Sequence, residues 1–301
     1  MDKKIMNTDP TQLRDIADSK KKSIQFYIVA LNEKYNILDC INSIKATGTN
    51  NITVLDGGSI DGTQEIVRNA GCNIIELPNT SISYRRGYGI NQAALDYICF
   101  IDADQRLYLG VEYQNALMAY FNSDMTLAGL QLKLTASDKC EGYWAAGFSK
   151  RLELITGTEG KRAVIGTPCV FRSDIVKLIG YEKNLTGPSD DTLFCSKVIQ
   201  LGYKLIAVSE GANEIVRASF KGTIRKAFWY GKGDAEYMRF DKSNRGRHLY
   251  HVLIRGPIIY PAIILMEKPY LVVFFVIFGF ARAMGLAIGS VLKKDLTKTF
   301  S

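Results

Sequence analysis

The stretch Tyr97-Ile98-Cys99-Phe100-Ile101-Asp102-Ala103-Asp104 constrains the fold more than any other part of the chain. Its apolar run, rich in aromatic and β-branched residues, has the composition of a buried strand. The run ends abruptly in two carboxylates, and burying unpaired carboxylates is costly. The cost is avoided if the carboxyl end of the strand opens into a cleft, where a cation can sit between the acids and a phosphate. The remaining motifs can be judged by whether they gather at that edge.

Several do. Ile24–Leu31 reads as a first strand, followed by Asn32-Glu33 and a helix with Ile37, Leu38, Ile41 and Ile44 on one face. Asn51–Leu55 is a second strand, ending in Asp56-Gly57-Gly58-Ser59-Ile60-Asp61-Gly62-Thr63 and a helix through Ile66 and Val67. Asn73–Leu77 is a third, and the helix Ser83–Leu95 carries Arg85 and Arg86 near its start. Strands and helices alternating at this spacing predict right-handed βαβ units and a parallel sheet, whose ligands bind beyond the carboxyl ends of the strands. Asn32, Glu33, Asp56, Asp102 and Asp104 all fall at that end.

Further along, a helix near Val111–Phe121 and a strand over Met125–Leu134 are expected. Asp138–Lys161, rich in Gly, Lys and Glu, reads as loop and short helix over the cleft. Val164–Phe171 is a strand interrupted by Gly166-Thr167-Pro168, which argues for an edge or a bulge. Gly187-Pro188-Ser189-Asp190-Asp191 is a turn into a helix with Leu193, Phe194, Val198 and Leu201, and Lys204–Val208 is the last strand.

With 301 residues the chain is long for one α/β domain. The reading is a polar tail over 1–22, a sheet domain over 23–219 and a helical appendage over 220–301. The first apolar run is the strand at Ile24, so no signal peptide is expected. None of the six cysteines (Cys40, Cys72, Cys99, Cys140, Cys169 and Cys195) forms a CxxC pair, which suits free thiols in a reducing compartment. The net charge is +8, and from Arg217 on basic residues crowd: Lys221, Arg225, Lys226, Lys232, Arg239, Lys242, Arg245, Arg247 and Arg255. This cluster runs into an apolar tail, so an anionic membrane surface is the expected partner rather than nucleic acid.

Phe220–Phe240 has the pattern of an amphipathic helix lying on a membrane or across the cleft. Leu271–Leu292 is long enough to span a bilayer, for which about 20 residues suffice. Arg282 in its middle is costly for a lone spanning helix, and the stretch before Glu267 is broken by Pro257 and Pro261. Basic residues flank both sides, Arg245 and Arg247 before and Lys293 and Lys294 after. A hairpin that dips into or lies along the cytoplasmic face of the cell membrane is expected. His248 and His251 have no acid nearby in sequence, which favours lipid headgroups as their neighbours.

Each motif also has a plainer reading. Asp102 and Asp104 can aim at one ion, or can cap a turn. Asp56 can accept a hydrogen bond from a base or a ribose, with Gly57 and Gly58 allowing close approach; otherwise the segment is a turn in which Ser59 or Asp61 caps the next helix. At Asp190-Asp191, capping explains one acid and leaves the other as a general base. Trp229, with Phe228 and Tyr230, suits sugar stacking or membrane anchoring. Asn184-Leu185-Thr186 matches a glycosylation sequon, which carries no weight without a secretion signal.

The chain resembles the family-2 inverting glycosyltransferases of the GT-A fold over roughly Ile24 to Tyr237. The resemblance rests on Ala30-Leu31-Asn32-Glu33, Leu55-Asp56-Gly57-Gly58-Ser59-Ile60-Asp61-Gly62-Thr63, Phe100-Ile101-Asp102-Ala103-Asp104, and Asp190-Asp191 where the family often has Glu-Asp. It implies a mostly parallel nucleotide-binding sheet flanked by helices, and a nucleotide-sugar donor held by Glu33, Asp56 and Asp102, with Asn32 and Gly58 in the same loops. It implies Mg²⁺ or Mn²⁺ on Asp104, beside Asp102, and Asp191 as catalytic base with Asp190 next to it. Arg86 and Asn91, in Arg86-Gly87-Tyr88-Gly89-Ile90-Asn91, correspond to a donor-lining segment. Processive members carry Gln/Arg-x-x-Arg-Trp; here Arg225-Lys226-Ala227-Phe228-Trp229 has Phe228 for the second Arg. That departure, with few apolar helices, predicts single addition to a glycan or lipid-linked acceptor near Trp229, as in polysaccharide biosynthesis.

Three other readings compete. A haloacid-dehalogenase-type phosphatase also ends a strand in Asp-x-Asp, but wants Thr or Val where Arg106 stands and places that strand first. A dinucleotide oxidoreductase needs glycines that Ala30-Leu31-Asn32-Glu33 lacks. A catalytically silent, membrane-docked nucleotide-sugar binder would keep Asp56 and Asp102 without a working base.

Overall fold

The computed structural model describes residues 23–291 apart from 109, 111, 138–140 and 217. The segment Met1–Lys22, together with Cys140, Arg217, Lys293 and Lys294, lies outside the described residues. The chain begins β1 (Ile24–Ala30), α1 (Ile37–Lys45), β2 (Ile52–Asp56), α2 (Thr63–Asn69), β3 (Asn73–Glu76), α3 (Ile82–Gln92) and β4 (Tyr97–Asp102). Within β1 and β4 alternate side chains enter opposite cores. Phe26, Ile28, Tyr97 and Cys99 join one face with Ile37, Ile41 and Phe121, while Tyr27, Ile98 and Phe100 join the other with Phe171 and Phe194. Helices therefore cover both faces, as the apolar runs require.

After β4 come β5 (Gln105–Leu107), α4 (Tyr113–Ser123), β6 (Leu127–Ala136), α5 (Tyr143–Thr156), β7 (Gly160–Lys161), β8 (Cys169–Arg172), α6 (Ser173–Ile179), α7 (Asp190–Gln200) and β9 (Lys204–Glu214). The strand order is β3-β2-β1-β4-β8-β6-β9-β5, with β7 also on β9. From β3 to β4 all pairings are parallel. β8 then runs antiparallel between β4 and β6, and β6 and β9 pair in parallel.

Three expectations need correction here. The segment 138–161 is not mainly loop: it holds the 14-residue helix α5, which buries Ala145, Phe148, Leu152 and Thr156 at helical spacing. β8 is an interior strand rather than an edge. Pro168 stands just before it, so no ladder donor is lost, and the Pro168 carbonyl accepts from the Leu132 N–H at 3.0 Å. β9 does not stop at Val208 but runs on to Glu214, where Gln105 of β5 pairs with Glu214. The sheet thus returns to the residues that directly follow β4.

The C-terminal part is helical: α8 (Phe220–Phe240), α9 (Arg245–Tyr250), a π-helical stretch His251–Ile259, α10 (Tyr260–Glu267), a short turn at Pro269–Leu271, and α11 (Val272–Val291). The prolines do not break the segment before Glu267. Pro257 is accommodated in the π-helical stretch and Pro261 in the first turn of α10, so Arg245–Glu267 is one rod of 23 residues. It folds back at Lys268 on a second apolar helix of 23 residues, Pro269–Val291. Packed α8 and α11 approach backbone to backbone, because a Cβ on Gly231 would overlap the Arg282 carbonyl and one on Gly285 would overlap that of Phe228.

Arg282 is not a lone charge. Its Nε and Nη2 donate to Oδ2 and Oδ1 of buried Asp234 at 2.6 and 2.8 Å, tying α11 to α8. His248 does have an acidic partner, since its Nε2 lies 2.9 Å from Asp234 Oδ1. The described cysteines are all free, with Cys40, Cys99, Cys169 and Cys195 buried and Cys72 partly so.

Candidate active site

Two loops at the carboxyl edge are cross-braced. The Asn32 N–H donates to Ser59 Oγ (2.8 Å) and its Oδ1 accepts from the Ile60 N–H (3.0 Å). The Glu33 N–H donates to Thr63 Oγ1 and the Lys34 N–H to Asp61 Oδ2. Asn32 itself takes a left-handed φ of 57°, open to Asn because a short polar side chain tolerates it. Asp56 is 0 % exposed, and its carboxylate accepts from the Gly58 and Ser59 N–H groups, the Ser59 hydroxyl and the Gln64 amide. Its visible work is to hold its own loop, while Gly58 supplies the turn with φ 98°. Asp61 accepts from the Thr63 N–H at the start of α2, the capping role the plainer reading gave it.

The acids at the end of β4 fare differently. Asp102 Oδ2 accepts from the Thr167 hydroxyl at 2.6 Å, and Oδ1 faces Arg86 Nη2 at 3.3 Å. Arg86 Nη1 also pairs with Asp190 Oδ2 at 2.8 Å. Burial works against charge on Arg86, but Asp190 and Asp102 outweigh it and hold the guanidinium pKa well above its usual value. Ser81 caps α3, accepting from the Tyr84 N–H, which sets the helix that carries Arg86 into the cleft.

Asp104 is pushed well above the ordinary carboxyl range by burial and by the negative charge of Glu214 and Asp102. It owes Glu214 to the fold: the Asp104 carbonyl accepts from the Ile215 N–H at 2.9 Å as β5 joins β9. Lys226 reaches the same point from α8, and Tyr230, Glu214 and Asp104 hold its pKa above the usual range.

The adjacent acids Asp190 and Asp191 separate. Asp190, 2 % exposed, is committed to Arg86. Asp191 accepts from the neighbouring Thr192 N–H at 2.7 Å. Burial, then the charge of Asp190, raises its pKa to about 7, with Arg86 opposing.

The space around these groups is one cleft of two chambers. A cavity of about 330 Å³ is lined by Asn32, Glu33 and Asn36. Another of about 400 Å³ is lined by Arg86, Asp102, Asp191, Trp229 and Tyr230. They share Asp104, Phe148, Glu214 and Lys226. α5 and α8 form the far wall, where the Arg151 guanidinium sits 5.2 Å from the Tyr230 ring centre and 4.7 Å from that of Phe278.

The structure thus gathers Asn32, Glu33, Arg86, Asp102, Asp104, Asp190, Asp191 and Trp229 around this cleft. Asp56 and Gly58 stand behind it, in the loop that braces Asn32. Asn91 is not brought there: it is exposed in the last turn of α3, on the way to the amino end of β4. Sequence reasoning missed Glu214, Lys226, Arg151 and Thr167. Of these, only Lys226 carried a signal, as a neighbour of Trp229.

Among the described residues no group of three or more His, Cys, Asp or Glu side chains is placed to hold a metal ion. The chain itself offers the pair Asp102 and Asp104, hard oxygen donors under mutual repulsion. This fits Mg²⁺ or Mn²⁺, which bind through one or two carboxylates plus substrate phosphates.

Solved structures share this fold. A mannosyltransferase from Pyrobaculum calidifontis, solved with GDP-Man and Mn²⁺, superposes with a TM-score of 0.63 at 13% identity, covering 89% of this chain and 88% of that one. TarS 1-349 of S. aureus superposes with a TM-score of 0.54 at 14% identity, covering 88% and 82%. These likenesses place the fold as GT-A. An uncharacterized glycosyltransferase of Rickettsia prowazekii, RP128, is 26% identical over 188 residues, 57% of this chain. The match spans 63% of that relative's length. A family profile described as glycosyl transferase family 2 matches residues 26–176, and the chain belongs to that family.

Proposed function

We propose that this chain transfers a sugar from a nucleoside-diphosphate sugar to an acceptor hydroxyl in one inverting displacement. The observation that carries the reading is Asp191, a carboxylate with its pKa near 7 that opens on the chamber bounded by Asp102 and Asp104. Asp191 takes the proton of the acceptor hydroxyl as that oxygen bonds to the anomeric carbon and the bond to the diphosphate breaks. Arg86 keeps Asp190 and Asp102 fixed on either side, so Asp190 positions rather than accepts a proton. Asp102 and Asp104 would hold Mg²⁺ or Mn²⁺, which when bound supplies positive charge for the departing diphosphate. Lys226, at the junction of the chambers, adds a cation to the same place.

The donor belongs in the chamber of Asn32 and Glu33, and the acceptor in that of Asp191 and Trp229. GDP-Man in the mannosyltransferase and UDP-GlcNAc in TarS support a nucleotide-sugar donor as a class. The acceptor is a glycan or a lipid-linked glycan extended by a single sugar, in polysaccharide biosynthesis at the cytoplasmic face of the membrane. Two 23-residue apolar helices with Leu265, Met266, Tyr270, Val273 and Phe280 exposed support the membrane placement.

The test is nucleoside diphosphate release by the detergent-solubilised protein from a panel of nucleotide sugars, with Mn²⁺ or with chelator. Release is expected with one donor and Mn²⁺, and its loss in Asp191→Asn with donor binding kept. Release indifferent to chelator would overturn the role of Asp104, and binding without turnover in the wild type would leave only a nucleotide-sugar binder.

A further inference from the structure

A third cavity, of about 360 Å³, adjoins the reaction chambers at Val164 and runs along α7, between that helix and the start of the rod Arg245–Glu267. Arg247, His248 and His251 line it from the rod, and Gln200 and Asn244 add amides. No carboxylate is among its lining residues. Asp241, just behind the wall, is already satisfied: it accepts from the Ser196, Ser243 and Tyr237 hydroxyls and the Asn244 amide, which orders that wall. Neither Arg247 nor His251 has an ion-pair partner among the described residues. The Arg255, Arg247 and Arg282 guanidiniums lie near His251, while the His248 ring is held by Asp234. This is a concavity that carries the guanidinium of Arg247, with further hydrogen-bond donors on two elements.

We infer that this cavity binds the phosphate of an anionic membrane lipid. Phosphate is the chemistry that answers the Arg247 guanidinium, the His251 ring and neutral donors where the nearest acids, Asp234 and Asp241, are already engaged by the protein's own groups. The lipid source follows from position. The rod that carries Arg247 and His251 continues directly into exposed Leu253, Ile254 and Ile258, so a headgroup in the cavity leaves its acyl chains beside an apolar face. The cavity also reaches Thr192 and Val164, next to the base and at the border of the reaction chamber, so an engaged lipid would set how the cleft faces the bilayer. The inference does not depend on sugar transfer and is read by binding alone.

The experiment is calorimetric titration of the full, detergent-solubilised chain with dihexanoyl phosphatidic acid, dihexanoyl phosphatidylcholine and inorganic phosphate. Phosphatidic acid should bind at least about tenfold more tightly than either of the others. Arg247→Gln combined with His251→Gln should weaken it by about tenfold or more, with circular dichroism and thermal unfolding unchanged. Should that variant unfold, Arg247→Gln alone, at an exposed position, serves instead and should lose at least threefold. Undiminished binding in a folded variant overturns the site. Inorganic phosphate binding as tightly as phosphatidic acid overturns the lipid source.

Discussion

Asp190 and Asp191 are neighbours in the chain with different duties, and what separates them is an arginine 104 positions away from Asp190. Consecutive residues on a helix point about 100° apart, so only one of the two can face Arg86. The other is left to feel burial and its neighbour's charge. Its raised pKa has a kinetic consequence with a definite sign. As the proposed base, Asp191 must be ionised to take a proton, so the base form is depleted below about pH 7 and complete above about pH 8. kcat/KM should therefore climb through pH 7 to a plateau, while a profile flat from pH 6 to 8 would remove Asp191 from the proton transfer. The residues alone marked both acids as a site, and the resemblance pointed to Asp191 as the base; what divides them physically is a tertiary contact, the pairing of Asp190 with Arg86. Asp56 shows the converse. Its glycine-flanked turn was legible, yet four donors from its own loop and α2 occupy its carboxylate, a local capture that only the turn geometry reveals.

Among the elements, the strands through β4 were readable because both faces are buried and their apolar runs are unbroken. α5 was not. Its buried face repeats at three- and four-residue steps, but Gly147 and Lys150 interrupt the apolar signal. Gly147 is there for a neighbour: a Cβ would lie 2.3 Å from the Phe274 ring, so the residue answers to α11 rather than to its own helix. The end of β9 was hidden for a similar reason, since past Val208 its register on β6 shifts and its other neighbour is the three-residue β5. α8 carries Lys226, Trp229 and Tyr230 into the cleft from one face and presses Gly231 against α11 with another. Gly285→Val would drive a side chain into the Phe228 backbone, with a cost of about 1–3 kcal/mol for overpacking. Denaturant unfolding should show that loss, and donor binding should weaken as α8 shifts. Gly246→Ala, where a Cβ meets nothing within 4 Å, is the control and should change neither.

In the molecule as a whole, α11 is both part of the apolar hairpin and part of the core. Phe274 and Phe278 pack with Phe148 of α5 and Ala227 of α8 in one cluster. Cutting the chain before the rod would therefore expose that cluster, and the product should aggregate rather than leave the membrane cleanly. A better probe is the hairpin tip, where Leu265, Met266 and Tyr270 are exposed and serve no internal packing. Leu265→Asp with Met266→Asp should shift the protein from the membrane pellet to the supernatant while donor binding stays intact; retention in the pellet would place the contact elsewhere. The Arg151 guanidinium has a mechanical meaning in this setting. It is held between Tyr230, on the reaction side, and Phe278, on the hairpin side. A single planar cation is thus a rivet through the wall of the vessel. On the proposed membrane placement, any tilt of α11 imposed by the thickness of a bilayer would pass through it to the proposed acceptor chamber, so the solvent of the anchor would also be a parameter of the site.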